Sequence, residues 1–264
     1  MAGYKPALLG AVCHDAVVMR SALIVGLGLI GGSIGIALRS RGWRVAYVDP
    51  HVTLDEARRA GAADDEGGDA DVVVLATPVD VAIEQVRTLE TRGVLTSTCS
   101  VMHPLRAHAR GNFVAGHPMA GSQERGLAAA RVDLFEGKPW FVDADDERVD
   151  ALIRDCGAIR ERVEAAEHDA AVALTSHLPQ VLSTALAAYL TEDVLRFAGS
   201  GLRTFLRLAG SDASVWAPVI EANRDNLAPH AEAVAQLVRQ IIDGDREAFD
   251  RARATWRALA EPPR

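Results

Sequence analysis

The hexapeptide GHPMAG at 116–121 sets a histidine among small residues and a proline, just after the apolar run NFVA. An imidazole outside any long helical or strand pattern is open to three readings. It is a packed core ring, a metal ligand, or the base of an active site, for which its near-neutral pKa suits it. The second group whose spacing carries chemistry is GLGLIG at 26–31. Gly26 fits a tight turn, Gly28 lets a pyrophosphate approach the backbone, and Gly31 lets helix and sheet pack closely, with Leu29 and Ile30 opening the helix between them. A bound phosphate would rest on the free amides of that helix N-terminus. Asp49, at the end of the next strand, is placed to take the ribose hydroxyls of NAD and to repel a 2′-phosphate. A turn or cap aspartate before Pro50 is the plain alternative. Arg44 lies inside the strand and is badly placed to hold a 2′-phosphate; His51 is closer. Ala76, Thr77 and Pro78 end a later strand, where the chain must pass beside the nicotinamide side of the crevice.

These residues need a scaffold, and the hydrophobic pattern supplies one. ALIV (22–25), WRVAYVDP (43–50), DVVVLATP (71–78) and GVLTSTCS (93–100) read as strands. The unbroken apolar core of the third suits a parallel strand covered on both faces. GSIGIALRSRG, VTLDEARRAG and VDVAIEQVRTLE between them read as helices. NFVAGHP (112–118), GKPWFVDA (137–144) and AIRERVE (158–164) are expected as further strands, with VDALIRDCG a helix. This alternation predicts an α/β Rossmann-type domain over 21–164. Beyond 165 the pattern is helical only, with GSGLR (199–203) as the expected turn. It predicts an all-α domain over 165–264, with helices reading through AAEHDAAVALTSHLPQVLSTALAAYLTEDVL, SDASVWAPVIEANRDNLAPHAEAVAQLVRQIID and DREAFDRARATWRAL. So small a helical unit, rich in alanine, has a thin core of its own, so it is expected to pack against a second copy and form a homodimer.

Composition limits the partners. Hydrophobic residues make up 49% of the 264, enough for a proper core. The net charge is −8, with Lys+Arg 28 against Asp+Glu 36, and no basic stripe invites nucleic acid. No apolar run reaches the roughly 20 residues of a membrane span. Cys13, Cys99 and Cys156 form no CxxC pair, so neither a disulfide framework nor a thiolate metal site is expected, which fits a reducing cytoplasm. The first 20 residues are too polar for a secretory leader and are read as an N-terminal extension with no assigned role.

Taken in order, GLGLIGGS (26–33), ATPV (76–79), GHPMAG (116–121), EHD…SHLP (167–179) and GLRTFLRLAGS (201–211) give the chain a resemblance. It resembles the prephenate and arogenate dehydrogenases of tyrosine biosynthesis, from about residue 21 to about 245. The resemblance implies an active site between a Rossmann domain and a dimer-forming helical domain, with NAD as hydride acceptor and no metal. The substrate it implies is a cyclohexadienol that is oxidised and loses its ring carboxylate. His117 would hydrogen-bond the C4 hydroxyl and take its proton as hydride leaves C4, which turns the opening question toward a base. Ser100, in CSVM, would bond the same hydroxyl or orient His117, against a plain strand-end cap. Arg207 would hold a substrate carboxylate with its planar fork of donors, with Arg203 one turn earlier as the competing choice. His168 and His177, across a helix bend at Pro179, would line or support the pocket, against satisfied core histidines. Gln180 stands where many relatives carry histidine and still offers a donor.

Some positions depart from the family pattern. Ser97, Cys99 and Met102 replace a frequent Asp, Gly and Lys, and Met102 removes a charge from the cleft rim. Gln123, six residues past His117, stands where related sequences can carry an acid. A neutral amide there favours prephenate over arogenate, whose ammonium wants a carboxylate. Glu124 next door could supply one, and 4-amino-4-deoxyprephenate stays open as a substrate. The rival classes are a 3-hydroxyacid-type dehydrogenase and a non-catalytic NAD-binding sensor. The first would want a catalytic lysine, and the chain has only Lys5 and Lys138.

Overall fold

The computed structural model describes residues 20–122 and 124–260, so the expected N-terminal extension lies, but for Arg20, outside the described residues. The first half runs β1 Ser21–Val25, α1 Leu29–Ser40, β2 Arg44–Val48, α2 Leu54–Arg59, β3 Asp65–Glu66, β4 Val72–Leu75, α3 Val79–Thr88, β5 Val94–Ser97, α4 His103–His108 and β6 Phe113–Val114. The six strands pair in parallel in the order β3-β2-β1-β4-β5-β6. The order reverses between β1 and β4, and ligands of such sheets bind beyond the carboxyl ends of strands at that point. Gly26 follows β1 and Ala76 follows β4, so the two motifs meet at the reversal.

The sheet is covered on both faces, which is why β4 is VVVL and buried throughout. One face packs Ile34 and Leu38 of α1 with Tyr47 and Trp140. The other packs Ala82 and Val86 of α3 with Leu95, Leu105 and Phe113. The Thr53 side chain accepts from the Glu56 amide while Glu56 reaches back to the Thr53 N–H, which fixes the start of α2. Two-residue β3 is polar and short, so no hydrophobic pattern announces it.

A second sheet orders β7 Gly116–Pro118, β8 Pro139–Val142 and β9 Ile159–Arg162, with α5 Glu147–Asp155 between the last two. NFVAGHP, expected as one strand, therefore divides at Ala115 between two sheets. The Gly116 N–H donates to Ser97 Oγ at 3.2 Å, and a side chain at 116 would run into the Ser97 carbonyl. The hydroxyl thus replaces a ladder partner and β7 turns away to pair antiparallel with β8.

The rest is helical: α6 Ala165–Val172, α7 Leu178–Tyr189, α8 Ser200–Phe205, α9 Ala213–Ala222, α10 Arg224–Ile242 and α11 Glu247–Ala260. A π-helical turn, Ala173–His177, joins α6 to α7. Pro179 has no N–H for a carbonyl four residues back, and the widened turn absorbs the mismatch at the expected bend. Two expectations are corrected. GSGLR is not a turn: after Gly199 the chain enters α8 directly, Ser200 and Gly201 falling in a first turn whose amides lack partners within the helix anyway. The long helix expected from 211 onward breaks at Asn223, whose backbone (φ −114°, ψ 19°) leaves the helical region.

Candidate active site

The nucleotide end is built from three glycines with three separate reasons. Gly26 has φ +94°, a left-handed conformation natural to glycine, and a Cβ there would lie 2.7 Å from the Ala76 carbonyl. At Gly31 a Cβ would collide with the Gly26 carbonyl, so α1 could not sit down on β1. Gly28 is different: it caps α1, and a Cβ there would meet no protein atom within 4 Å. Its bareness serves open space, the cradle that a pyrophosphate on the α1 amides requires. Asp49 accepts from the N–H of Leu27 and of His51, each at 2.8 Å. It does the turn work weighed as the plain alternative, and its remaining lone pairs still face a hollow lined by Gly28, His51, Val52 and Arg59. Arg59 was not singled out by the sequence. It lines the same hollow as Asp49, carried in by α2.

Next to this hollow opens a cleft of about 660 Å³. Leu29, Ile30, Ala76, Thr77, Pro78 and Ser100 line its sheet side; Arg207, Trp216 and Val219 line its helical side. The fit of a dinucleotide to the two hollows rests on the Gly28 cradle and the α1 amides. Arg207 is exposed and has no ion-pair partner among the described residues, while Arg203 lies outside the cleft wall. Cys99 also reaches the wall, but burial pushes its thiol up to about 12 and keeps it protonated.

His117 stands on β7, largely buried, just before the Ala120–Ser122 stretch of the cleft wall. Its Nδ1 lies 2.9 Å from His168 Nε2, and His168 Nδ1 lies 2.8 Å from Asp169 Oδ1. This chain fixes the tautomers. Asp169 accepts from the N–H groups of Met102 (2.8 Å) and His103 (2.9 Å), which hold its carboxylate in place. His168 must then donate from Nδ1, leaving Nε2 to accept the Nδ1–H of His117. The His117 Nε2 is left with a free lone pair, as a base needs. Burial first, then the neighbouring His168 and His177, push the His117 pKa from 6.5 down to about 3, so the ring is neutral.

His177 is fully buried, and its Nδ1 lies 3.0 Å from Asn223 Nδ2, which also donates to the Asp169 carbonyl at 2.8 Å. Burial pushes the His177 pKa down to about 4. Its Nε2 has no partner among the described residues, and its ring meets Trp216 edge-on at 6.0 Å. The structure thus groups His117, His168 and His177 in one network and puts Ser100 and Arg207 on the cleft wall.

Other expectations are corrected. Gln180 is buried, and its amide donates to the Leu208 carbonyl (2.9 Å) and to Thr184 (3.1 Å), so it braces the Arg207 turn and its donor is not free for a substrate. Met102 does not stand at the rim: its side chain is fully buried. Gln123 lies outside the described residues. Sequence reasoning passed over Asp169, although its place after His168 was a usable signal. Asn223, Trp216 and Arg125 gave no signal within their helical or loop segments.

Residues 34–165 match the family model described as prephenate dehydrogenase, nucleotide-binding domain, and 164–252 match that described as prephenate dehydrogenase, dimerization domain. A probable prephenate dehydrogenase of Streptomyces niveus, NovF, is 33% identical over 86% of this chain and 71% of its own length. The chain spans about two thirds of two other curated prephenate dehydrogenases, from Lactococcus lactis (65%) and Bacillus subtilis (64%). The fold is similar to that of a prephenate dehydrogenase from A. aeolicus in complex with hydroxyphenyl propionate and NAD+ (TM-score 0.77, 23% identity, 94% of this chain and 100% of that one). It is also similar to that of Synechocystis arogenate dehydrogenase (TM-score 0.71, 25% identity, 91% and 99%). On the two domain models and the extent of the likeness to NovF, the chain belongs to the prephenate dehydrogenase family.

Proposed function

We propose that the protein is an NAD-linked prephenate dehydrogenase, converting prephenate to 4-hydroxyphenylpyruvate as a homodimer in the cytoplasm. The observation that carries the reading is the Asp169–His168–His117 chain, which leaves the His117 Nε2 an acceptor on the strand that runs into the cleft wall at Ala120. When bound, the nicotinamide supplies the hydride acceptor. The protein's part is to place the C4 hydroxyl against His117 Nε2 and take its proton, with Ser100 in reach of the same hydroxyl. Arg207 holds a substrate carboxylate. The proton on His117 is met by the His168 acceptor and the fixed Asp169 charge behind it, so the transient imidazolium has a partner. Departure of the ring carboxylate as CO₂ then leaves an aromatic phenolate, which takes the proton back from His117 to give the phenol.

Asp49 supports NAD over NADP, because a 2′-phosphate would meet its carboxylate. One observation favours a second substrate: Glu124 lines the cleft and offers a carboxylate to the ammonium of arogenate. Initial rates of NADH or NADPH formation with prephenate, arogenate and 4-amino-4-deoxyprephenate test both points. Prephenate with NAD is expected to give the highest kcat/KM. A tenfold lead for arogenate, or a clear preference for NADP, overturns the corresponding half of the reading.

A further inference from the structure

Two arginines face the cleft from its opposite sides. Arg207 comes from the helical half, and Arg125 from the loop that follows β7. They are differently engaged. Arg207 is without an ion-pair partner among the described residues, whereas Arg125 Nη1 lies 2.8 Å from Asp212 Oδ2, so that pair bridges the two sides. Both of its side chains are half-exposed, at 50% and 49%. Ion pairs so open to water are weak and screened. Asp212 is itself well anchored. Its other oxygen accepts from the Ser214 N–H (2.8 Å) and hydroxyl (2.7 Å), capping α9. These bonds first, and Arg125 after them, hold its carboxyl down at about 2. Asp212 is therefore a fixed charge, and Arg125 is the partner able to leave.

The candidate substrates are all dicarboxylates, with one carboxylate on the ring and one on the side chain. Bringing both into a narrow cleft is costly unless each finds a cation. Met102 is buried and supplies none, and Glu124 adds a negative charge to the wall. Arg207 accounts for one carboxylate. Resting on that functional reading, we propose that Arg125 is the receptor for the second carboxylate, exchanging Asp212 for the substrate when the cleft fills. Asp212 then acts as a competitor that keeps the guanidinium at the cleft between turnovers. A guanidinium can form two parallel hydrogen bonds with the incoming carboxylate.

Two substitutions separate a receptor from a brace. Arg125→Ala removes receptor and brace together. Asp212→Asn removes the competing charge while keeping an oxygen to cap α9. Steady-state kinetics on the whole protein are expected to show KM for the cyclohexadienyl substrate raised about tenfold or more in Arg125→Ala, the scale of one lost charge-assisted contact. Its KM for NAD should be unchanged. In Asp212→Asn the substrate KM should fall, by about twofold, as befits a weak surface pair. If the pair only braces the fold, both variants break it and KM moves the same way in each. That outcome overturns the proposal, as does a substrate KM within twofold of wild type in Arg125→Ala. Calorimetric titration of the NAD-loaded protein with an aromatic dicarboxylate, 4-(carboxymethyl)benzoate, gives a readout free of turnover. Binding should weaken in Arg125→Ala and tighten in Asp212→Asn even should wild type oxidise none of the candidate substrates. Silence in kinetics with that binding pattern retained refutes the functional reading alone; equal binding by all three proteins refutes the role of Arg125.

Discussion

The proposed base, His117, depends on two residues that line neither hollow. With the Asp169 carboxylate bound by the Met102 and His103 amides, the His168 proton must lie on Nδ1, and the free lone pair of His117 follows. Replacing His117 with Ala is expected to lower kcat by roughly 10²–10⁴ while NAD affinity and thermal stability hold. Asp169→Asn tests the relay more sharply. The amide oxygen would take the Oδ1 place, where it can still accept from the Met102 N–H and His168 Nδ1–H. Its NH₂ then opposes the His103 N–H, and the carboxylate behind His168 is replaced by a neutral amide. A kcat loss on the order of 10²–10⁴ is expected, with KM for NAD unmoved; unchanged kcat would refute the relay. The buried histidines also set a pH dependence. Both have folded pKa values below the ordinary 6.5, about 3 for His117 and about 4 for His177. The unfolded chain therefore binds protons first as pH falls, and stability drops from about pH 6.5 to about 4 through both histidines and on toward 3 through His117. His177→Gln should flatten that drop in a series of melting curves; an unchanged slope would place the acid sensitivity elsewhere. His117 was legible because an imidazole among small residues has few structural uses. Asn223 was not, because its neighbours carry an ordinary helical pattern and only the tertiary fold brings it to His177.

At the scale of the element, the glycines of the first turn separate folding from binding. Gly31 makes room for the Gly26 carbonyl, and Gly28 makes room for nothing in the protein. Gly31→Ala should therefore destabilise the fold, by about 1–3 kcal/mol or more, because backbone must shift to admit the methyl. Gly28→Ala should melt within a few degrees of wild type, since its φ of −80° suits alanine, yet bind NAD about tenfold more weakly or worse. Equal NAD affinity in Gly28→Ala, measured by fluorescence titration, would remove the pyrophosphate from that cradle. These glycines could be read in advance because turn, approach and packing are local demands on a short stretch. The division of NFVAGHP between two sheets could not. It depends on Ser97 and Trp140, each about twenty residues away in sequence, closing around Gly116. GSGLR misled for a related reason: glycine and serine mark turns, but the first turn of a helix accepts them nearly as well.

At the scale of the whole molecule, the helical half carries more apolar surface than a protein of this charge needs in water. Tyr189, Phe197, Ile242, Trp256 and Leu259 are 84%, 75%, 78%, 69% and 82% exposed. On α11, Phe249, Trp256 and Leu259 follow one another at spacings of seven and three, which puts them on one side of the helix. On α10, Val238 and Ile242 are four apart and share a side in the same way. Scattered exposed apolar residues are ordinary, but stripes repeated on consecutive helices mark a surface meant to be covered. The alanine-rich sequence anticipated the need for a second copy, since so few large side chains leave a thin core; which residues meet it depended on how α10 and α11 turn. The match of 164–252 to a dimerization domain takes in α10 and the start of α11 with Phe249, and points to a second copy of this chain as the cover there. Wild type is therefore expected to sediment as a dimer at micromolar concentration. The pair Ile242→Glu and Trp256→Glu should shift it to monomer, because closing the interface would bury two unpaired carboxylates in each copy. The sheet half packs its core without these helices, so nucleotide binding should survive in the monomer. Retention of the dimer in the double variant would move the interface to the exposed Tyr189 and Phe197. Wild type at monomer mass would leave the stripes on α10 and α11 without a second copy to cover them, and the dimer expectation would fall with that result.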